Sequence, residues 1–197
     1  MEHRSPLFRA KRISRRRRWW LLALALIFLV PVFIPSPVFW RITRPFVHKD
    51  LIDRYAVKAG FSPLFVLALV RVESGFSASA RSHRGAVGLM QIMPDTATEM
   101  AGRLGLDASE ISLDDPEVNI RIGIKYLEVL RLEFGPDPVA LLAAYNGGPT
   151  NVRAWRRGDR LTLADIPFPE TRRFVERVLS TERWLGRLRR MKRFFRD

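Results

Sequence analysis

Residues 64–94 read LFVLALVRVESGFSASARSHRGAVGLMQIMP, and the fold turns on how the first part of that stretch ends. From Leu64 to Val72 every residue except Arg71 is apolar, and Glu73 then arrives shortly before Gly75. Glycine is the residue type that most often closes a helix, by adopting the left-handed conformation. Ser62-Pro63 supplies the matching start, a hydroxyl N-cap followed by proline at the first helical position. The pattern therefore predicts a helix from Pro63 to just before Gly75, with Val66, Leu69 and Val70 on the face that carries Glu73. Apolar neighbours disfavour an ionised carboxyl, and the negative end of the helix dipole acts in the same direction. Both raise the pKa of Glu73 and make it a candidate proton donor near neutral pH. The competing reading is a glutamate in solvent at a frayed helix end.

Downstream of this helix, Ser74 to Gly88 forms a loop rich in Ser and Gly, and no acidic residue follows Glu73 until Asp95. A glycosidase of the usual sort needs a second carboxylate near the first. The local sequence offers none, which weakens a two-carboxylate mechanism while leaving a distant Asp or Glu open. Further helices are expected from Pro94-Asp95-Thr96 to Gly102 or Gly105, and from Asp115-Pro116-Glu117 to Gly135. In the second of these, Val118, Ile122, Tyr126 and Leu130 share one face. Asp137-Pro138 opens a shorter helix that ends in Tyr145-Asn146-Gly147-Gly148-Pro149, a dense turn signal. On periodicity alone, Tyr145 reads as a core aromatic with a satisfied hydroxyl, and Asn146 as a left-handed helix cap. A helix near Asn151 to Arg157 and a last helix entered through Ile166 to Arg172 complete the pattern. Before Glu73's helix, Phe46, Val47, Leu51, Ile52 and Tyr55 recur at helical spacing. No alternating strand and no internal repeat appear, so the fold class is mainly α.

The chain has 197 residues, 47% of them hydrophobic, with 12 Gly and 13 Pro, which suits one globular domain plus an appendage. Cysteine is absent, which removes disulfides and thiolate metal sites. The three histidines, His3, His48 and His83, lack ligand spacing, so neither a metal nor another cofactor is expected. The formal charge is +14, and about half of the excess lies in residues 1–18, where eight Lys/Arg face one acid. This basic tail runs from Arg15-Arg16-Arg17-Arg18 directly into Trp19-Trp20 and an apolar run reaching Trp40. Such a junction reads as the cytoplasmic flank of a membrane segment rather than as a nucleic-acid arm. The 22 residues from 19 to 40 would extend roughly 33 Å as a helix, enough for a hydrocarbon core of about 30 Å.

Pro31, Pro35 and Pro37 interrupt the second half of that run, which also suits a signal-peptide core, but no small-residue cleavage site follows. The expected organisation is a basic cytoplasmic tail (1–18), a single transmembrane anchor (19–40), an exported domain (41–185) and a basic C-terminal tail (186–197). Residues 183–197 hold seven Lys/Arg and one acid, with Trp184, Leu185, Leu188, Met191 and Phe195 at helical spacing. Two readings stay open here: a helix on an anionic membrane surface, or a final helix with a core face and a solvated face.

Taken in order, Glu73-Ser74, the run Gly88-Leu89-Met90-Gln91-Ile92-Met93-Pro94 and Ala144-Tyr145-Asn146 resemble the signature of family 1 lytic transglycosylases. Asn119-Ile120 with Gly123 and Tyr126-Leu127 resembles that family's central helix, and Pro169-Glu170-Thr171-Arg172 its late motif. The resemblance spans about Val47 to Leu185. It implies a lysozyme-like fold and cleavage of the β-1,4 bond between N-acetylmuramic acid and N-acetylglucosamine in peptidoglycan, leaving a 1,6-anhydro end. Glu73 matches the family's single acid/base, with the substrate's N-acetyl oxygen replacing a second carboxylate. By position, Ser82 would hydrogen-bond the catalytic carboxyl or the muramoyl N-acetyl group, Met90 and Gln91 would line the saccharide cleft, and Tyr145 would place its hydroxyl near Glu73. Asn146 would hold the loop or the sugar, while Ser74 and Glu170 rank as structural or cleft-forming. Ser77-Ala78 replaces the commoner Asn-Pro, and Phe174 stands where tyrosine is frequent. The implied setting is the bacterial inner membrane, with the catalytic domain periplasmic, glycan strands as partner and cell-wall or secretion machinery as a candidate associate. A hydrolytic muramidase of the goose-lysozyme kind and a non-catalytic glycan-binding component are the alternatives.

Overall fold

Local signals set the helix ends. In the computed structural model, which describes residues 19–20, 48–156, 158 and 160–194, the helix carrying Glu73 runs from Pro63 to Ser74 (α2). Ser62 Oγ accepts a hydrogen bond from Phe65 N at 3.4 Å, and Gly75 closes the helix at φ +58°. Helix α1 (Lys49–Lys58) precedes it, and α3 (Pro94–Arg103), α4 (Pro116–Phe134) and α5 (Pro138–Gly147) follow. Asp115 and Asp137 cap α4 and α5 through their carboxylates, accepting from Val118 N at 2.9 Å and Val139 N at 3.0 Å. Helix α6 (Pro149–Trp155), a single 3₁₀ turn (Leu163–Asp165) and the long α7 (Pro169–Phe194) complete the order. The only pairings of strand type among the described residues are two isolated bridges, Arg81 to Val87 and Val87 to Ile92. The fold is mainly helical, as expected.

Helix α2 is the centre of the packing. Its residues Phe65 to Val70 are all buried, so it is apolar all round, as the nearly unbroken apolar run implied, the pattern of a helix enclosed on every side. It packs against α7 and α1, while α4 packs against α1, α3 and α5, and α5 against α6 and α7. Arg131 of α4 donates to Ala59 O (2.7 Å) and Gly60 O (3.0 Å) and lies over the Phe61 ring at 4.1 Å, tying the α1–α2 turn to α4. Gly123 lets α4 approach the loop before α3: a Cβ there would meet Met90 Sδ at 2.3 Å and Met90 Cβ at 3.0 Å. Gly123→Ala is therefore expected to cost about 1–3 kcal/mol by overpacking, read as a lowered melting temperature.

Two differences from expectation have local causes. Helix α5 continues through Tyr145 and Asn146 to Gly147, and the turn is made by Gly148 alone at φ +86°. Asn146 is thus a helical residue rather than a left-handed cap. Gly147 stays helical in a tight place, where a Cβ would lie 3.1 Å from Trp155 and 3.2 Å from Thr171, and Asn151 Nδ2 donates to its carbonyl at 2.7 Å. Helix α7 also runs without a break across the expected boundary at 185/186. The chain divides into two compact units, Met1–Thr43 and Arg44–Asp197. The basic tail 1–18, the anchor expected at 19–40 apart from its first two residues, and residues 41–47, 157, 159 and 195–197 lie outside the described residues. Among the described residues no helix is long and apolar enough to cross a membrane.

Candidate active site

Glu73 occupies the last turn of α2, where the helix leaves the core. It keeps some solvent access, but the surrounding protein strips most of its hydration. Burial pushes its carboxyl up to about 8, against a weaker downward pull from the Arg177 guanidinium. No carboxylate among the described residues contributes to that shift. The next residue, Ser74, ties the site down: its hydroxyl is placed to donate to Leu89 O at 2.8 Å and to Val70 O in its own helix at 3.2 Å.

The run 87–91 is held by its backbone from several elements. Asn119 of α4 is fully buried and uses its whole amide: Oδ1 accepts from Met90 N (2.8 Å), and Nδ2 donates to Val87 O and Leu113 O (both 2.9 Å). Gly88 sits against that amide at φ +80°, and a Cβ there would lie 2.1 Å from Asn119 Nδ2. Tyr145 Oη donates to Met90 O at 2.7 Å. Gln91 takes the left-handed conformation at φ +49°, a position that costs a non-glycine residue energy and that its own side chain offsets, Nε2 donating to Gly88 O (3.0 Å) and Ala80 O (3.2 Å). The loop is thus a rigid floor.

Above that floor lies a groove of about 310 Å³ walled by Gln91, Tyr126, Tyr145, Asn146, Gly147 and Gly148 among others. The two tyrosine rings are 5.4 Å apart and tilted. Burial and the nearby Glu73 charge raise the Tyr145 phenol well above its ordinary value, so it stays protonated and keeps donating to the Met90 carbonyl. A second hollow of about 420 Å³ is lined by Glu170, Arg173, Glu176 and Arg177 of α7. Glu73 is electrostatically linked to Tyr145, which lines the first, and to Arg177, which lines the second. Hollows of about 200 and 240 Å³ near Tyr55 and Phe61 contain none of the candidate site residues named from the sequence.

Gln91, Tyr145 and Asn146 therefore meet in one groove, and Ser74 and Met90 meet them through main-chain bonds. The Met90 side chain departs from expectation. It is fully buried against Gly123 instead of lining the cleft, because the left-handed turn at Gln91 sends the two neighbouring side chains opposite ways. Ser82 is exposed, and its Oγ accepts from Ala86 N at 3.0 Å within a tight turn. Glu170 is exposed in the first turn of α7, 3.6 Å from Arg84. Asn119 and Arg177 are the contributors that sequence reasoning passed over. Asn119 was visible only as part of the central helix motif, and Arg177 carries no local signal. Among the described residues no group of three or more His, Asp and Glu side chains converges as a metal site.

Comparison with known proteins agrees on one relationship. The family described as transglycosylase SLT domain matches residues 50–164. The chain is 38% identical over 144 residues to the soluble lytic murein transglycosylase of Escherichia coli K12, covering 69% of this chain and 22% of that protein. It is 29% identical over 184 residues to membrane-bound lytic murein transglycosylase C of Photorhabdus laumondii, covering 74% of this chain and 51% of the relative. An inactive mutant of lytic transglycosylase Slt from Pseudomonas aeruginosa superposes with a TM-score of 0.66 at 34% identity, over 87% of this chain and 30% of that one. The chain thus spans about a fifth of the length of the first of these relatives, and its helical domain shares the fold of the matched part of the Pseudomonas aeruginosa protein.

Proposed function

Because the chain belongs to the transglycosylase SLT domain family, we propose that it is a peptidoglycan lytic transglycosylase with Glu73 as its only acid/base. It cleaves the β-1,4 bond between N-acetylmuramic acid and N-acetylglucosamine and leaves a 1,6-anhydromuramoyl end. The observation that carries this reading is a carboxyl raised to about 8 with no carboxylate among the described residues acting on it. Protonated near neutral pH, Glu73 gives its proton to the leaving glycosidic oxygen as the C1–O bond breaks. The carboxylate so formed then takes the proton of the C6 hydroxyl as that oxygen bonds to C1, and the enzyme returns to its starting state. The substrate's N-acetyl oxygen stabilises the oxocarbenium-like centre between these steps, the part a second carboxylate plays elsewhere. Arg177 eases the transient negative charge on Glu73.

In this scheme Gln91, whose Nε2 is committed to backbone carbonyls, offers Oε1 to the glycan, with Asn146 beside it on the groove wall. Tyr145 holds the floor by its bond to Met90 O and presents its remaining lone pair toward the acid. Ser82 keeps its hydroxyl proton for the muramoyl N-acetyl group, and Glu170 with Arg84 shapes the rim. The proposed setting is periplasmic, with residues 19–40 as a single inner-membrane anchor, the N-terminus cytoplasmic, glycan strands as substrate, cell-wall or secretion machinery as a candidate associate and no nucleic-acid partner. Mass spectrometry of digested sacculi tests the chemistry: anhydro ends are expected. Reducing ends would reassign the protein as a muramidase, and no cleavage would make it a glycan-binding component.

A further inference from the structure

Past Val178 the last helix leaves the core. Among the described side chains of α7, Val178 is the final buried one and Leu185 the last to pack against the core cluster, and a Cβ added at Gly186 would still reach Leu64 of α2 at 4.0 Å. Yet the helix continues to Phe194, roughly 12 Å beyond Gly186 at about 1.5 Å per residue. Along this end Trp184 is 46% and Met191 55% exposed, with the Trp184 ring braced by Arg71 of α2 at 4.8 Å. Trp184, Leu188 and Met191 fall within about 60° of one another around the helix axis. Arg183, Arg187 and Arg190 occupy the adjoining arc. These three and Arg189 are exposed, and among the described residues none of the four is in a salt bridge. The core face of this helix runs instead through Leu185 and Gly186.

We propose that the distal end of α7 is a docking surface for an anionic bilayer, with Trp184, Leu188 and Met191 entering the headgroup layer and the arginines contacting lipid phosphates. An apolar stripe containing tryptophan beside an arginine arc is the pattern of an interfacial helix. The charge complementarity selects the lipid: residues 183–197 carry seven Lys/Arg and one acid, a balance that an acidic leaflet attracts over about a Debye length. A solvated helix face has no need of the exposed apolar stripe, and a nucleic acid would use the arginines without it.

The sequence has no cysteine, so Met191→Cys in the full chain creates a single site for an environment-sensitive fluorophore. The label is read in vesicles of phosphatidylcholine and in vesicles of equimolar phosphatidylcholine and phosphatidylglycerol. Because the readout is local to position 191, it does not depend on how residues 1–43 engage the bilayer. A blue-shifted emission and several-fold protection from aqueous iodide are expected only with the anionic vesicles. Added salt should reverse both, and so should Arg183→Glu with Arg187→Glu and Arg190→Glu. The reversed variant should cleave soluble glycan fragments at the unaltered rate, which also shows that it has folded. Equal quenching in the two vesicles, or protection that survives both salt and charge reversal, overturns the proposal. So does protection without lipid, whether from purified sacculi, which would make the surface a glycan contact, or from rising protein concentration, which would make it a contact between copies of the chain.

Discussion

Glu73→Gln should reduce the rate of sacculus lysis by about 10²- to 10⁴-fold, toward the upper end because one side chain serves as both acid and base. The same variant should be more stable than the native protein at neutral and alkaline pH. Folding raises the Glu73 pKa from an ordinary value of 4.5 to about 8, so the folded state holds the proton more tightly than the unfolded chain. The stability linked to that proton is complete below about pH 4.5 and is lost progressively as pH rises through about 8. Glutamine never ionises and escapes this loss. Melting temperatures should therefore diverge in favour of the variant as pH rises toward 8 and above, and converge in acid. For the native enzyme, kcat/KM should fall as pH rises through about 8, when the proton donor is lost. Arg177→Ala should move that limb to higher pH by removing the positive charge that lowers the pKa. Native rates of lysis by Glu73→Gln would remove Glu73 from the mechanism, and a limb below pH 6 would remove burial as the cause of its pKa.

Asn119→Ala carries the second large effect, this time on the fold. It strands the buried Met90 N–H and the half-buried Leu113 carbonyl, while the Val87 carbonyl keeps its bond from Ile92 N. At about 1–3 kcal/mol for each of these two unpaired groups, the loss is about 2 kcal/mol or more. For a domain of this size that lowers the melting temperature by roughly 4–8 °C. Activity should fall even well below the melting transition, because the released backbone carries the carbonyl that anchors Tyr145 and the residue that turns Gln91 into the groove. Gly88→Ala strikes the same clamp from the loop side, with its Cβ 2.1 Å from Asn119 Nδ2 and 2.5 Å from Leu113 O. A melting temperature within about 2 °C of native for Asn119→Ala, equivalent to well under 1 kcal/mol, would show that the loop is held by other means.

Residues that act through neighbours in sequence were legible, and those that act across space were not. Ser62, Asp115, Asp137 and Gly75 begin or end their helices through bonds and φ values within a turn of themselves, so their effect could be read directly. The raised pKa of Glu73 was legible for a related reason, since an apolar run of that length can only be accommodated inside the protein. Met90 shows the limit. Adjacent to Gln91 in a motif that pointed to the cleft, it is instead core, because the left-handed backbone at Gln91 separates the two side chains. Asn119 shows it from the other side, as an amide in a helix that bonds Val87 and Met90 in a loop about thirty residues away as well as Leu113 nearby.

What the sequence alone determined about this protein is the set of helices, the family resemblance and the carboxyl delivered at the end of a buried rod. Tertiary structure decided what surrounds that carboxyl: Arg177 brought in by α7, Tyr145 by α5, and a loop clamped by Asn119, Ser74 and Tyr145. The physical reason is range. Capping, left-handed turns and amphipathic period act within a few residues, whereas desolvation and the charges that tune a buried acid depend on segments that only packing brings together.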